Sequence, residues 1–89
     1  MAPPRRINLM VASSELDADL VKTHFPQLRT YTVLTPRDRL DNVRVGDYLW
    51  TPDASDLPAS ERMRLRGLMA PFIDEHSVEE DFPQTLLSW

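Results

Sequence analysis

The segment Arg6-Ile7-Asn8-Leu9-Met10-Val11-Ala12 constrains the fold more than any other stretch of the chain. It has the length of a strand, and alternation puts Ile7, Leu9 and Val11 on one face and Met10 and Ala12 on the other. A strand that is apolar on both faces belongs in the centre of a sheet, with neighbours on either side. Ser13 and Ser14 follow directly, and then Leu16, Leu20, Val21, His24 and Phe25 recur at helical spacing. A serine N-cap with acidic residues in the first turn therefore predicts a helix, which Pro26 stops.

A second strand is predicted over Thr30-Tyr31-Thr32-Val33-Leu34-Thr35, ended by Pro36. The stretch from Arg37 to Asn42 has room for a short helical turn only. Gly46-Asp47 reads as a turn, with Tyr48-Leu49-Trp50-Thr51 as a third strand closed by Pro52. Pro58 opens the best helical pattern of the chain, carried by Leu65, Leu68, Met69, Phe72 and Ile73, and Pro71 should kink or shorten its end. The expected fold is α/β: a small three-stranded, mostly parallel sheet in the order β-α-β-turn-β-α, forming a single domain over residues 1–89. An antiparallel third strand is the alternative, because the link before it is short for a parallel crossover.

Residues 74–89 differ from the rest. Five acidic residues, Asp74, Glu75, Glu79, Glu80 and Asp81, occur there with no lysine or arginine, followed by Phe82, Leu86, Leu87 and Trp89. The acidic part reads as a solvated stretch. The four apolar residues read either as a docking peptide for a partner or as a segment that completes the core.

The segments Tyr31-Thr32-Val33-Leu34-Thr35-Pro36-Arg37-Asp38 and Asp47-Tyr48-Leu49-Trp50-Thr51-Pro52-Asp53 resemble each other. Each is an apolar strand that leaves through Thr-Pro. If the strands are parallel, both exits lie beside Ser13 and Ser14 on the carboxyl edge, where open α/β sheets bind ligands. The candidate ligand site is then Ser13, Ser14, Thr35, Arg37, Asp38, Thr51 and Asp53. The competing reading is that these residues do no more than cap helices and end strands.

Several chemistries are disfavoured. The chain has 89 residues and no cysteine, so it has no disulfide framework, thiolate zinc site, iron–sulfur cluster or cysteine nucleophile. Gly46 and Gly67 are the only glycines, and neither follows the first strand, where a phosphate-binding loop would need them. His24 and His76 belong to no ligand cluster and sit where neither could serve Ser13 or Ser14 as a base. No catalytic residue, metal or cofactor is expected. A net charge of −4 argues against nucleic acid as a partner; Arg62, Arg64 and Arg66 form no single broad stripe, and Arg62 and Arg66 are expected either to flank the core face and snorkel or to pair with Asp56, Glu61 or the acids of the tail. No apolar run approaches the roughly 20 residues of a membrane span, and a cytoplasmic location is expected.

Nine arginines against the single Lys22 fit a high-GC genome. The stretches Val11-Ala12-Ser13, Leu34-Thr35-Pro36-Arg37 and Leu49-Trp50-Thr51-Pro52 resemble those of short proteins encoded by actinobacteriophages, and the likeness spans roughly residues 6–73. This resemblance implies a Rossmann-like unit without the glycine-rich loop, in host cytoplasm. It brings no catalytic residue with it. The functional expectation is a non-enzymatic interaction protein that binds and modulates a host or phage protein, with Phe82, Leu86, Leu87 and Trp89 as partner-binding residues. A small-molecule or nucleotide-binding remnant at the carboxyl edge, and a homo-oligomer such as a dimer with a structural role, are the alternatives.

Overall fold

In the computed structural model, which describes residues 3–83, β1 (Arg5–Val11) lies inside a four-stranded sheet. Its neighbours are β2 (Thr32–Leu34) on one side and β3 (Val43–Trp50) on the other, and β4 (Ile73–Glu79) adds outside β3. All three pairings are parallel, in the order β2-β1-β3-β4. The helix α1 (Glu15–His24) connects β1 to β2, while α2 (Pro52–Ser55) and α3 (Ala59–Met69) connect β3 to β4. Single 3-10 turns follow α1 at Pro26–Leu28 and α3 at Ala70–Phe72, so Pro26 and Pro71 each end an α-helix and stand in a tighter turn.

The two faces of β1 fill two separate cores. Leu9 and Val11 join Leu34, Val45, Ala54, Leu65 and Met69 under α2 and α3. Met10 and Ala12 join Ala18, Phe25, Leu28 and Leu49 under α1. The result is three layers, helix on sheet on helix, with the alternation of residues 7–12 as predicted.

The sheet has four strands, not three. The fourth comes from Ile73–Glu79, the stretch that reads as the last turn of a helix followed by a solvated acidic segment. Glu75 and Glu79 mask its strand character, because they face outward on an edge strand where only Ile73, Asp74 and Ser77 are half-buried. The third strand is parallel, and it starts at Val43 rather than Tyr48. Eight residues, 35–42, carry the chain back from the carboxyl to the amino end of the sheet without a helix. At about 3.3 Å per residue they reach roughly 26 Å, enough to return along strands of this length. Asn42, the only non-glycine residue with positive φ (51°) among those described, makes the turn into β3.

Gly46-Asp47 is not a turn between elements. It is a bulge inside β3: Ile7 pairs with Val45 and Leu9 with Tyr48, so β3 spends one extra residue opposite Asn8. The Asn8 side-chain oxygen accepts the Asp47 N–H at 3.1 Å. A Cβ at Gly46 would stand 3.0 Å from that oxygen, 3.3 Å from the Ile7 carbonyl and 3.4 Å from Nε of Arg6. Glycine is thus needed for close approach, and it clears a path for Arg6 to reach across β3 to Asp74 on β4, at 3.1 Å.

Asp74 organises a second irregularity. Val45 pairs with Ile73 and Asp47 with Val78, so β4 advances five positions while β3 advances two. Within the bulge the Asp74 N–H donates to Oγ of Ser77, whose hydroxyl donates to the Val45 carbonyl, and Oδ1 of Asp74 accepts the His76 N–H at 2.8 Å. The Arg6 guanidinium and the His76 N–H hold the Asp74 carboxyl down at about 2.

Two outcomes are expected. Leu9→Ala should cost about 2–5 kcal/mol in urea unfolding, a large fraction of the total for a domain this small. Because the Asp74 carboxyl is more acidic folded than unfolded, its contribution is full above about pH 4 and is lost as pH falls toward 2. Asp74→Asn should therefore lower stability at neutral pH and flatten the acid limb of the stability profile over that window, as read by urea titrations at successive pH values.

Candidate functional site

The strand order reverses at β1. From β1 the chain goes to β2 on one side, and β3 then lies on the other, so the carboxyl ends of β1 and β3 form the switch point where α/β sheets open a crevice. Ser13 follows β1 and Thr51 follows β3 at this point, held in place by hydrogen bonds from the Ala12 N–H to the Leu34 carbonyl and from the Thr51 N–H to the Val11 carbonyl, both 2.9 Å.

Asp17 ties the two exits together. Its Oδ2 accepts the Ser13 N–H at 2.9 Å, the Ser13 hydroxyl at 3.2 Å and the Thr51 hydroxyl at 2.6 Å. Asp17 is buried, although it belongs to the first turn of an otherwise solvent-facing helix end. Its own N–H donates to Oγ of Ser14, the N-cap of α1, at 3.1 Å. Thr51 has a parallel role: its Oγ1 accepts the Ala54 N–H at 3.1 Å and caps α2. At the end of β2, Oδ2 of Asp38 accepts both the N–H and the hydroxyl of Thr35, at 3.0 and 2.9 Å, closing the turn through Pro36 and Arg37.

Above these contacts lies a cleft of about 730 Å³ lined by Ser13, Ser14, Thr35, Arg37 and Asp38 together with Glu15, Pro36, Leu57 and Glu61. Five of the seven residues expected at the carboxyl edge thus share one cavity. Thr51 lies buried below its floor, engaged by Asp17, and Asp53 stands exposed in the first turn of α2, outside the lining. The sequence reading missed Asp17, and with it the walls contributed by Glu15, Leu57 and Glu61. A signal for Asp17 was present in Ser14-Glu15-Leu16-Asp17, the spacing of a capping box, in which an N-cap serine and an acid three residues on exchange hydrogen bonds with the backbone. Here the acid reaches one residue further back, to Ser13.

A second cavity of about 270 Å³ opens at the carboxyl ends of β3 and β4, among Trp50, Arg62, Arg66 and the acids Glu79, Glu80 and Asp81. The expected meeting of these arginines with acids of the tail is a shared cavity wall; among the described residues the only Arg–carboxylate ion pair is Arg6–Asp74. Arg66 lies over the Trp50 ring at 5.0 Å, a cation–π contact. Beside it the chain turns toward α1. The Tyr31 hydroxyl donates to Oε1 of Glu80 at 2.7 Å, and burial together with that carboxylate pushes the phenol up to about 12. Phe82 meets the Phe25 ring edge-on at 5.1 Å and packs against the core under α1. Of the four expected partner-binding residues, Phe82 is thus occupied within its own chain, while Leu86, Leu87 and Trp89 lie outside the described residues.

Among the described residues no group of three or more histidines and carboxylates is placed to hold a metal ion, and no helix is long and apolar enough to cross a membrane. The chain matches no protein-family model, no curated protein and no solved structure.

The Asp17 node should be structural. Asp17→Ala leaves the Thr51 hydroxyl and the Ser13 N–H without their acceptor, and is expected to cost about 2–3 kcal/mol in urea unfolding. Thr51→Val, which removes one of the three donors and the α2 cap, should cost about 1–2 kcal/mol.

Proposed function

We propose that this chain is a non-enzymatic binding protein that engages and modulates another protein through the carboxyl-edge cleft. One observation carries the reading: the hydroxyls and carboxylate at the switch point, Ser13, Ser14, Thr51 and Asp17, are spent on one another and on helix N-termini. A nucleophile needs a base free to take its proton, and the Asp17 oxygen beside the Ser13 hydroxyl already accepts the Ser13 N–H and the Thr51 hydroxyl. Groups locked in this way instead hold a cleft in a fixed shape, which suits recognition because little ordering remains to be done on binding.

The charge of the lining indicates the kind of surface it accepts. Glu15, Asp38 and Glu61 stand against Arg37 alone, so a basic segment of a partner protein complements it. The resemblance carried by Val11-Ala12-Ser13 and the Thr-Pro exits supports a host or phage protein as the partner, and an actinobacterial lysate is the corresponding source. The position of the cleft at the switch point and its size also favour a second reading, a small-molecule site. The carboxylates weigh against phosphorylated ligands there.

Affinity capture from nuclease-treated actinobacterial lysate tests the proposal. The wild-type chain should retain one protein at near-equal stoichiometry, and Glu15→Lys/Glu61→Lys should lose it while unfolding at a midpoint close to that of wild type. Retention by the charge-reversed variant, or an empty capture with folded protein, would sink the proposal. A rise in Tm with a nucleotide or metabolite, absent in the same variant, would establish the small-molecule reading instead.

A further inference from the structure

Large apolar side chains on a small protein are seldom left in water in adjacent, ordered positions. Among the described residues the exposed ones are Leu16, Leu20, Met63 and Val78. Three of them lie on the outer faces of the two long helices: Leu16 (68% exposed) and Leu20 (54%) one turn apart on α1, and Met63 (72%) on α3. At 100° per residue Leu16 and Leu20 point away from Ala18 and Val21, the side of α1 that meets the sheet. In the same way Met63 and Gly67 point away from Leu65 and Met69, and a Cβ built on Gly67 meets no atom within 4 Å. The outer face of α3 is therefore open, with Met63 rising beside a glycine where another backbone can come close.

The charges around these two faces are opposite. Asp19 stands beside the leucines of α1, and Glu15, which also lines the carboxyl-edge cleft, lies further round on the same flank, with Lys22 half-buried nearer the sheet. Arg62 and Arg66 flank one side of the Met63 face on α3 and Arg64 the other, while Glu61 turns into the carboxyl-edge cleft. The two helices cover opposite faces of the sheet, so one molecule shows an acidic apolar face on one side and a basic apolar face on the other.

We propose that the outer face of α1, through Leu16 and Leu20, docks on the outer face of α3, at Met63 and Gly67, of a second copy of this chain. Each face is complementary to the other and repels its own kind. The contact is therefore heterologous, and because the two faces point in opposite directions it repeats from copy to copy rather than closing as a two-fold dimer. Two helices of 10 and 11 residues make a small contact, so the association is weak and dependent on concentration.

Sedimentation velocity on the full chain, from about 10 µM to about 1 mM, tests this. The wild-type weight-average mass should rise with concentration past twice the monomer mass of 10.3 kDa, and the rise should shrink in about 1 M salt, where charges are screened beyond about 3 Å. Leu16→Arg/Leu20→Arg and Met63→Glu/Gly67→Glu should each sediment as monomers, while an equimolar mixture should associate, since each supplies the face the other lacks. All four positions are exposed, and far-UV circular dichroism with the unfolding midpoint checks that the variants fold. Should either double variant unfold, Leu20→Gln and Met63→Gln carry the same test, each expected to weaken association about tenfold. A wild-type chain that stays monomeric over the whole range overturns the proposal. So does persistence of wild-type association in either variant alone, which would indicate like-on-like contact or another surface, and so does a mixture that stays monomeric.

Discussion

Four consecutive residues, Leu9 to Val11 of β1 and Ala12 just after it, are shut off from solvent on both faces of the sheet at once. Burial of apolar surface is the dominant favourable term in folding, and these four residues commit the chain to covering one strand twice. α1 has to return over one side and α3 over the other. Because α1, the helix-free link 35–42 and the α2–α3 connection each bring the chain back to the amino end of the sheet, all four strands run parallel, and every loop after a strand opens on the same edge. The location of the carboxyl-edge cleft is thus a geometric consequence of where the apolar residues of β1 were placed.

The elements that were readable in the sequence are those whose pattern is set by burial. The alternation of residues 7–12 and the serine N-cap of α1 rest on periodicity and capping, and both appear as read. The readings that went astray concern residues with more than one use. Gly46-Asp47 has turn chemistry, but a bulge draws on the same glycine, and only the presence of Asn8 and Ile7 across the ladder decides between them. Ile73–Glu79 carries few apolar side chains because an edge strand buries little, so a pattern built on hydrophobicity passes over it. Of the candidate site, the Thr-Pro exits and the two serines were legible because a parallel sheet places strand ends together. Asp17 was legible only as the capping partner of Ser14: an acid in the first turn of a helix usually faces water, and nothing local shows that Thr51, 34 residues away, donates to it.

Asp17 also gives the molecule its mechanical character. One carboxylate oxygen joins the exit of β1, the first turn of α1 and the cap of α2, so the three elements around the switch point cannot shift independently. Hydrogen bonds to a charged acceptor are stronger than neutral ones, and burial strengthens them further. The cleft above this node therefore has a stiff floor, and whatever adaptability it has resides in the longer side chains at its rim, Glu15, Arg37 and Glu61.

The irregular course of β4 bears on how this protein avoids unwanted company. An outermost strand offers a row of unpaired N–H and C=O groups on which a foreign strand can grow. Here that row is interrupted by the bulge at Asp74–Ser77, where the backbone turns its donors to Asp74 and Ser77 instead of outward in register, and its flanks carry Glu75, Glu79 and Glu80. At the opposite margin β2 has only three residues. Neither margin is a good template for cross-β growth, so the carboxyl-edge cleft and the helical surfaces are where this molecule can meet another without risking fibrillar aggregation.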